Sequence, residues 1–348
     1  MRRATTLILF FLMALEVDAQ LDSLHKELLL ANDSVKSEAL LAISSNYNGK
    51  NTDSVFFYAS EAMKYAVRYN NEKMIGRSFT NLGTAMLYYR KYDSALYYYN
   101  KGVGISTRIN DKYGLTRNLT NLGIIYYYKG EFKKALQHYI AAATIGEEIN
   151  ATKILASIYD NMAIIYQRID DLDKAKKTYQ KAYKMADKAN VVNSSLTNLS
   201  TLYIKLGIYD SALISINLAY KLYKKHDLKI KEANALGIKG YILMKSKQYN
   251  QSLLFFDSAR LLFMQLKAPE LAAEQYIYTA LALEKLNYNN KALASLTEAL
   301  NQSSSPLIVK DVESNRAIIY EKLGQTNKAM MSYKKFIAVR DSLGGVLN

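Results

Sequence analysis

Small and large apolar residues alternate along this chain with a long, regular period. A small residue recurs at Gly83, Gly123, Ala163, Ser200, Gly240, Ala280 and Ala317, and the same register falls on Ile43 one step earlier. The spacings are 40, 40, 40, 37, 40, 40 and 37 residues. Twelve residues after each marker stands Val55, Ala95, Ala135, Ala175, Ala212, Ser252, Ala292 or Ala329. Four further on the residue is large (Tyr99, Tyr139, Tyr179, Ile216, Phe256, Leu296, Tyr333), with Ala59 the exception. Three beyond that it is small again, from Ala62 and Gly102 to Ala299, and only Phe336 breaks the column. Offsets of three and four put these residues on one helical face. Small positions let two helix backbones approach, and large neighbours fill the space beside them. The pattern predicts two antiparallel helices per unit, in eight units over Lys36–Leu343 starting near 36, 76, 116, 156, 193, 233, 273 and 310. Gly130, Gly207 and Gly324 punctuate them, with Tyr92-Asp93, Tyr209-Asp210 and Tyr249-Asn250 expected as helix starts. Pro269 and Pro306 fall ahead of first helices, where a missing N–H costs least.

This register resembles the tetratricopeptide repeat in its longer form of about 40 residues, with an extended second helix. The resemblance implies an all-α fold, a right-handed α-solenoid of helix-turn-helix repeats. The signature tryptophan is replaced by Phe79, Leu119, Tyr159 and Leu196. A narrower resemblance rests on Asp22-Ser23-Leu24, Asn32-Asp33-Ser34 and Arg340-Asp341-Ser342-Leu343. These look like exported tetratricopeptide sensor regions of membrane-bound histidine kinases and helix-turn-helix regulators. That likeness implies either a stand-alone relative or a signal-transduction or transcription-regulatory component whose membrane and effector parts are missing from this chain.

Other features narrow the chemistry. The 348 residues include no cysteine and no tryptophan, so disulfides, thiol nucleophiles and cysteine metal sites are excluded. His25, His138 and His226 are too far apart in sequence for a local metal motif. No P-loop, Gly-x-Ser-x-Gly or His-Glu-x-x-His appears, so neither an enzyme nor a cofactor is expected. Gly102-Val103-Gly104 is half a dinucleotide fingerprint set inside a second helix. Asp170, Asp171 and Asp173 read as a turn and cap in preference to a calcium loop. Residues 1–19 have the form of a signal peptide: Arg2 and Arg3, an apolar run, then Val17-Asp18-Ala19. A periplasmic or extracellular location is therefore expected, with an uncleaved anchor the alternative. Residues 20–35 read as an N-terminal capping helix and 344–348 as a tail.

The resemblance also implies a concave wall of first helices, with groove-facing positions at the second, fifth, sixth, ninth and twelfth to thirteenth of each unit. The sixth position is Asn81, Asn121, Asn161, Asn198 and, in the last unit, Asn315. A row of amides can pair with the N–H and C=O of an extended peptide. Alternatively, each amide bonds the neighbouring helix and stiffens the stack. The second position contributes Arg77 and Arg117. With Tyr88, Tyr127 and Tyr128 they make a candidate cationic, aromatic pocket for an acidic group or a C-terminal carboxylate, chance exposure being the alternative. Position thirteen is Arg168, Lys205, Lys245, Lys285 and Lys322, where helix-dipole compensation is the simpler reading. The net charge of +15 invites an acidic partner or envelope polymer without naming one. The expected partner is a protein or peptide, with no nucleic acid and no membrane span beyond the signal segment.

Overall fold

The computed structural model describes Asn32 and residues 35–346. The expected signal segment and most of the capping helix lie outside the described residues. Among the described residues there are only helices and turns, and the chain divides into two compact units, up to Val191 and from Val192 onwards. The first unit holds α1 (Lys36–Asn46), α2 (Thr52–Arg68), α3 (Glu72–Tyr88), α4 (Tyr92–Arg108), α5 (Lys112–Tyr128), α6 (Phe132–Glu148), α7 (Thr152–Arg168) and α8 (Leu172–Lys188). The second holds α9 (Ser195–Lys205), α10 (Tyr209–Lys225), α11 (Lys229–Lys245), α12 (Tyr249–Gln265), α13 (Pro269–Lys285), α14 (Asn289–Gln302), α15 (Pro306–Lys322) and α16 (Thr326–Val346).

The 40-residue period resolves into two 17-residue helices and two three-residue turns. First and second helices are therefore equal in length, and the extra residues of the long repeat do not go to the second helix alone. Six first helices begin four residues ahead of the expected unit starts, as at Glu72 and Lys112 where 76 and 116 were anticipated, whereas α1 begins at Lys36 as expected and α9 at Ser195, two residues after 193. The two 37-residue steps have local causes. α9 is cut to 11 residues behind a longer loop, and α14 stops after 14.

The middle turn residue has positive φ in repeat after repeat: Asn70, Arg90, Asn110, Gly130, Asn150, Asp170, Asn190, Gly207, Asp227, Lys247, Lys267, Asn287 and Gly324. Each closes the preceding helix. At Gly130, for example, its N–H donates to Tyr127 O at 3.0 Å and the Glu131 N–H to Tyr126 O at 2.8 Å. The helix caps are Asn51, Asn71, Asp111 and Asp171, whose side chains accept from the backbone N–H three residues on. Asp93, Asp210 and Asn250, expected as caps, lie one residue inside their helices. Acidic residues there still favour the positive helix end. Gly102-Val103-Gly104 lies within α4.

Packing follows the column arithmetic. All eight markers are buried, and so are all eight residues twelve positions later. A Cβ added at Gly83 would sit 2.7 Å from the Tyr99 ring, at Gly123 2.7 Å from Tyr139, and at Gly240 2.7 Å from Phe256. The large residue thus fills the space its marker leaves open. In the last unit Tyr333, which fits its column, and Phe336, which breaks its own, are only partly buried, as no described helix follows α16. Within the first unit α1 touches α3, α3 touches α5 and α5 touches α7, and α11–α13 and α13–α15 do the same in the second. Second helices show no comparable mutual packing among the described residues. First helices therefore form the tighter, inner wall of each unit.

Candidate functional site

Along α5, Arg117, Asn121, Ile124 and Tyr128 are four, seven and eleven residues apart, so they form one stripe. α3 repeats it as Arg77, Asn81, Thr84 and Tyr88, and α7 carries Ser157, Asn161, Ile164 and Arg168. These are inner-wall helices of the first unit. The side chains expected to make one pocket separate into two along these stripes.

At the N-terminal ends of α3 and α5 lies a cavity of about 310 Å³ lined by Lys73, Gly76, Arg77, Thr80, Ser106, Asp111, Tyr113, Gly114 and Arg117. Arg77 makes only a long pair with the exposed Glu38, at 3.3 Å. Arg117 is partly buried and has no carboxylate at ion-pair distance among the described residues. Burial pulls its pKa below the ordinary arginine value, and the like charge of Arg77 adds to this; Tyr113, Tyr99 and Asp111 work against it. The Asp111 carboxylate is occupied in capping α5, accepting from Gly114 N–H at 3.0 Å.

At the C-terminal ends of α5 and α7 is a cleft of about 230 Å³ lined by Ile124, Tyr127, Tyr128, Tyr139, Asn161 and Ile164. Asn161 and Tyr139 line this cleft together, and burial raises the pKa of the Tyr139 hydroxyl strongly. Tyr127 packs on Phe132 at 5.8 Å between ring centroids, and the Arg168 guanidinium lies 5.8 Å from the Tyr127 ring. Tyr128 is 60% exposed and stacks on Tyr92. Tyr88 belongs to neither hollow. It is exposed at the end of α3, its hydroxyl over the turn at Gly49.

The amides do not form a uniform ladder. Asn81 is 2% exposed, and its Nδ2 donates to Ser44 Oγ at 3.1 Å, Ser45 Oγ at 3.2 Å and Leu41 O at 3.5 Å. It is spent on the preceding repeat and is withdrawn from the groove set. Asn315 turns back on its own helix, donating to Asp311 O at 2.7 Å, beside a small apolar cleft on α13 and α15. Asn198 is partly buried on α9 in the second unit. Asn121 and Asn161 are partly exposed on adjacent inner helices, and Asn121 has no side-chain hydrogen bond to any described residue. Lys73 and Tyr113 were not anticipated as site residues. They stand four residues before Arg77 and Arg117 on the same faces, a signal hidden by placing the helix starts too late.

The position-thirteen cations each end a first helix, as dipole compensation requires. Asp171 caps α8, accepting from Lys174 N–H at 3.2 Å. No described helix is long and apolar enough to cross a membrane.

A tetratricopeptide-repeat family model matches residues 115–188 and a second matches 314–342. No curated protein matches the sequence. Among solved structures, the apo quorum sensor NprR from B. thuringiensis superposes with a TM-score of 0.67 at 15% identity, covering 94% of this chain and 99% of that one. Apo RapI gives 0.63 at 14% identity, covering 94% and 98%. A Rap protein complexed with Competence and Sporulation Factor gives 0.52 at 12%, covering 95% and 99%. At these identities the likeness is one of fold. Residues 115–188 and 314–342 are thus matched as tetratricopeptide repeats, and the buried small/large register and all-helical stack carry the same repeat fold through the described residues.

Proposed function

We propose that this protein is a non-enzymatic scaffold that holds an extended segment of a protein or peptide partner against the inner wall of its first unit. The observation that carries this reading is the pair Asn121 and Asn161, partly exposed on adjacent inner helices beside the tyrosine-lined cleft. Amides so placed offer donor and acceptor to a backbone, and the cleft offers apolar contact to a side chain. The solved Rap complex with Competence and Sporulation Factor supports the reading, as a relative in fold that holds a factor. Replacing both Asn121 and Asn161 with Ala is expected to reduce partner capture from an extract at least tenfold, with the helical circular dichroism unchanged. Undiminished capture would remove these amides from the site.

A second reading is a sensor in a signalling system, favoured by the fold likeness to a protein described as a quorum sensor. It predicts that partner binding changes the affinity for a second, regulatory protein; equal affinity with and without partner would exclude it. Export belongs to the same proposal, and recovery of the native protein in the cytoplasmic fraction would count against it.

A further inference from the structure

Within each unit, one face of a second helix is covered by the first helix that follows it. On α4 the covered positions are Leu96, Tyr99 and Val103, and on α14 they are Leu293, Leu296 and Leu300. The same face of α16 carries Met330, Tyr333 and Ile337. No described helix follows to cover it, and Met330 is 50% and Ile337 44% exposed. A repeat stack that ends in water shows polar residues there, since uncovered apolar surface costs free energy. Another repeat of the same register does not fit this face. Seven earlier units have Ala or Gly where Phe336 stands, and at Gly102 even a Cβ would meet Asn118 of the following first helix at 2.7 Å. No earlier unit has a charge at the place of Arg340.

The flank of this face is self-complementary in charge. Lys334 is exposed and has no ion-pair partner among the described residues. Asp341 stands two turns further on the same side and pairs only with its neighbour Arg340, at 2.8 Å. Gly344 lies inside the helix, where a glycine costs about 0.5–1 kcal/mol relative to alanine. A Cβ there would meet nothing within 4 Å, so the chain's own packing does not call for glycine. We propose that the protein forms a two-fold dimer through α16, with the two helices antiparallel. An axis passing between Ala338 and Val339 sets Tyr333 opposite Gly344 of the second copy, the contact by which Tyr99 fills the space at Gly83. It sets Ile337 opposite Arg340 of the second copy, whose methylene stem covers it. Lys334 then falls about 3 Å along the axis from level with Asp341 of the second copy, and the symmetry makes two such pairs. An in-register parallel pair would bring each charge level with its own copy. Each copy brings two cations, Lys334 and Arg340, to one Asp341, which keeps the association reversible.

The test is sedimentation equilibrium of the whole chain from low to high micromolar concentration. The mass should rise from one chain to two and stop there, because a two-fold interface closes on itself. Ile337→Asp should stay a single chain throughout, with its helical circular dichroism unchanged. Lys334→Glu and Asp341→Lys each set like charges face to face and should weaken the dimer about tenfold. Combining the two changes in one chain should restore it, and so should mixing the two single variants in equal amounts. A single mass at every concentration would overturn the proposal, as would assemblies larger than two. A dimer that survives Ile337→Asp would place the contact on another surface and overturn it as well. Single charge variants that dimerise like wild type, or a combined variant that stays weak, would overturn the antiparallel pairing. If Ile337→Asp fails to fold, the charge variants still decide. The Asn121→Ala, Asn161→Ala double variant should dimerise as wild type does, so the groove reading and the dimer stand or fall separately.

Discussion

At the scale of single residues, the same amino acid has opposite value at neighbouring positions. Gly123 is pressed against Tyr139, a ring only 1% exposed. A methyl group there forces that ring to move, a cost of about 1–3 kcal/mol that exceeds the helix-propensity gain. Gly104 lies mid-helix in α4 with nothing within 4 Å of an added Cβ. Gly104→Ala should therefore stabilise by about 0.5–1 kcal/mol while Gly123→Ala destabilises by about 1–2 kcal/mol, read as denaturant midpoints. This contrast was legible in the sequence, since Gly123 stands in a marker column and Gly104 does not. The role of Asn81 was not legible. Its partners Ser44 and Ser45 lie 37 and 36 residues away, and the other amides share its column with different neighbours.

At the scale of helices and turns, periodicity revealed the number and pairing of elements but misplaced their starts. The marker columns report the middle of each helix, where packing is tight. The first turn of α3 or α5 carries polar residues such as Glu72, Lys73 and Lys112, which leave no apolar trace. That is why the cavity was half seen, through Arg77 and Arg117, without Lys73 and Tyr113. The turns themselves explain how so few glycines suffice. Asn and Asp tolerate the left-handed region and occupy most of the middle turn positions. Lys247, at φ 64, has no such tolerance. Lys247→Gly is expected to raise stability by about 0.5–1 kcal/mol, the relief of left-handed strain being offset in part by the freer unfolded chain. A calorimetric melt compares the two proteins.

At the scale of the whole molecule, 46 basic residues face 31 acidic ones, a net charge of +15. Much of this charge is paired locally at the surface, as in Arg108–Glu72, Lys112–Glu148 and Lys181–Glu147, and such pairs contribute little each. The excess remains and repels itself. Raising sodium chloride from low to moderate concentration should raise the unfolding midpoint by screening that repulsion. A midpoint that falls with salt would show that the ion pairs outweigh the surplus. Net charge says little about the site, where Arg77 pairs with Glu38 and Arg117 has no ion-pair partner among the described residues.

The stripe on α3 copies the one on α5, with arginine, asparagine and tyrosine at matching places. A guest displaced by one repeat would meet the same outer chemistry, yet find the central peg already taken by the hydroxyls of Ser44 and Ser45. Two serines in the opening helix thereby break the degeneracy of a periodic template. They give a guest one phase in which to lie, without any residue that need touch it.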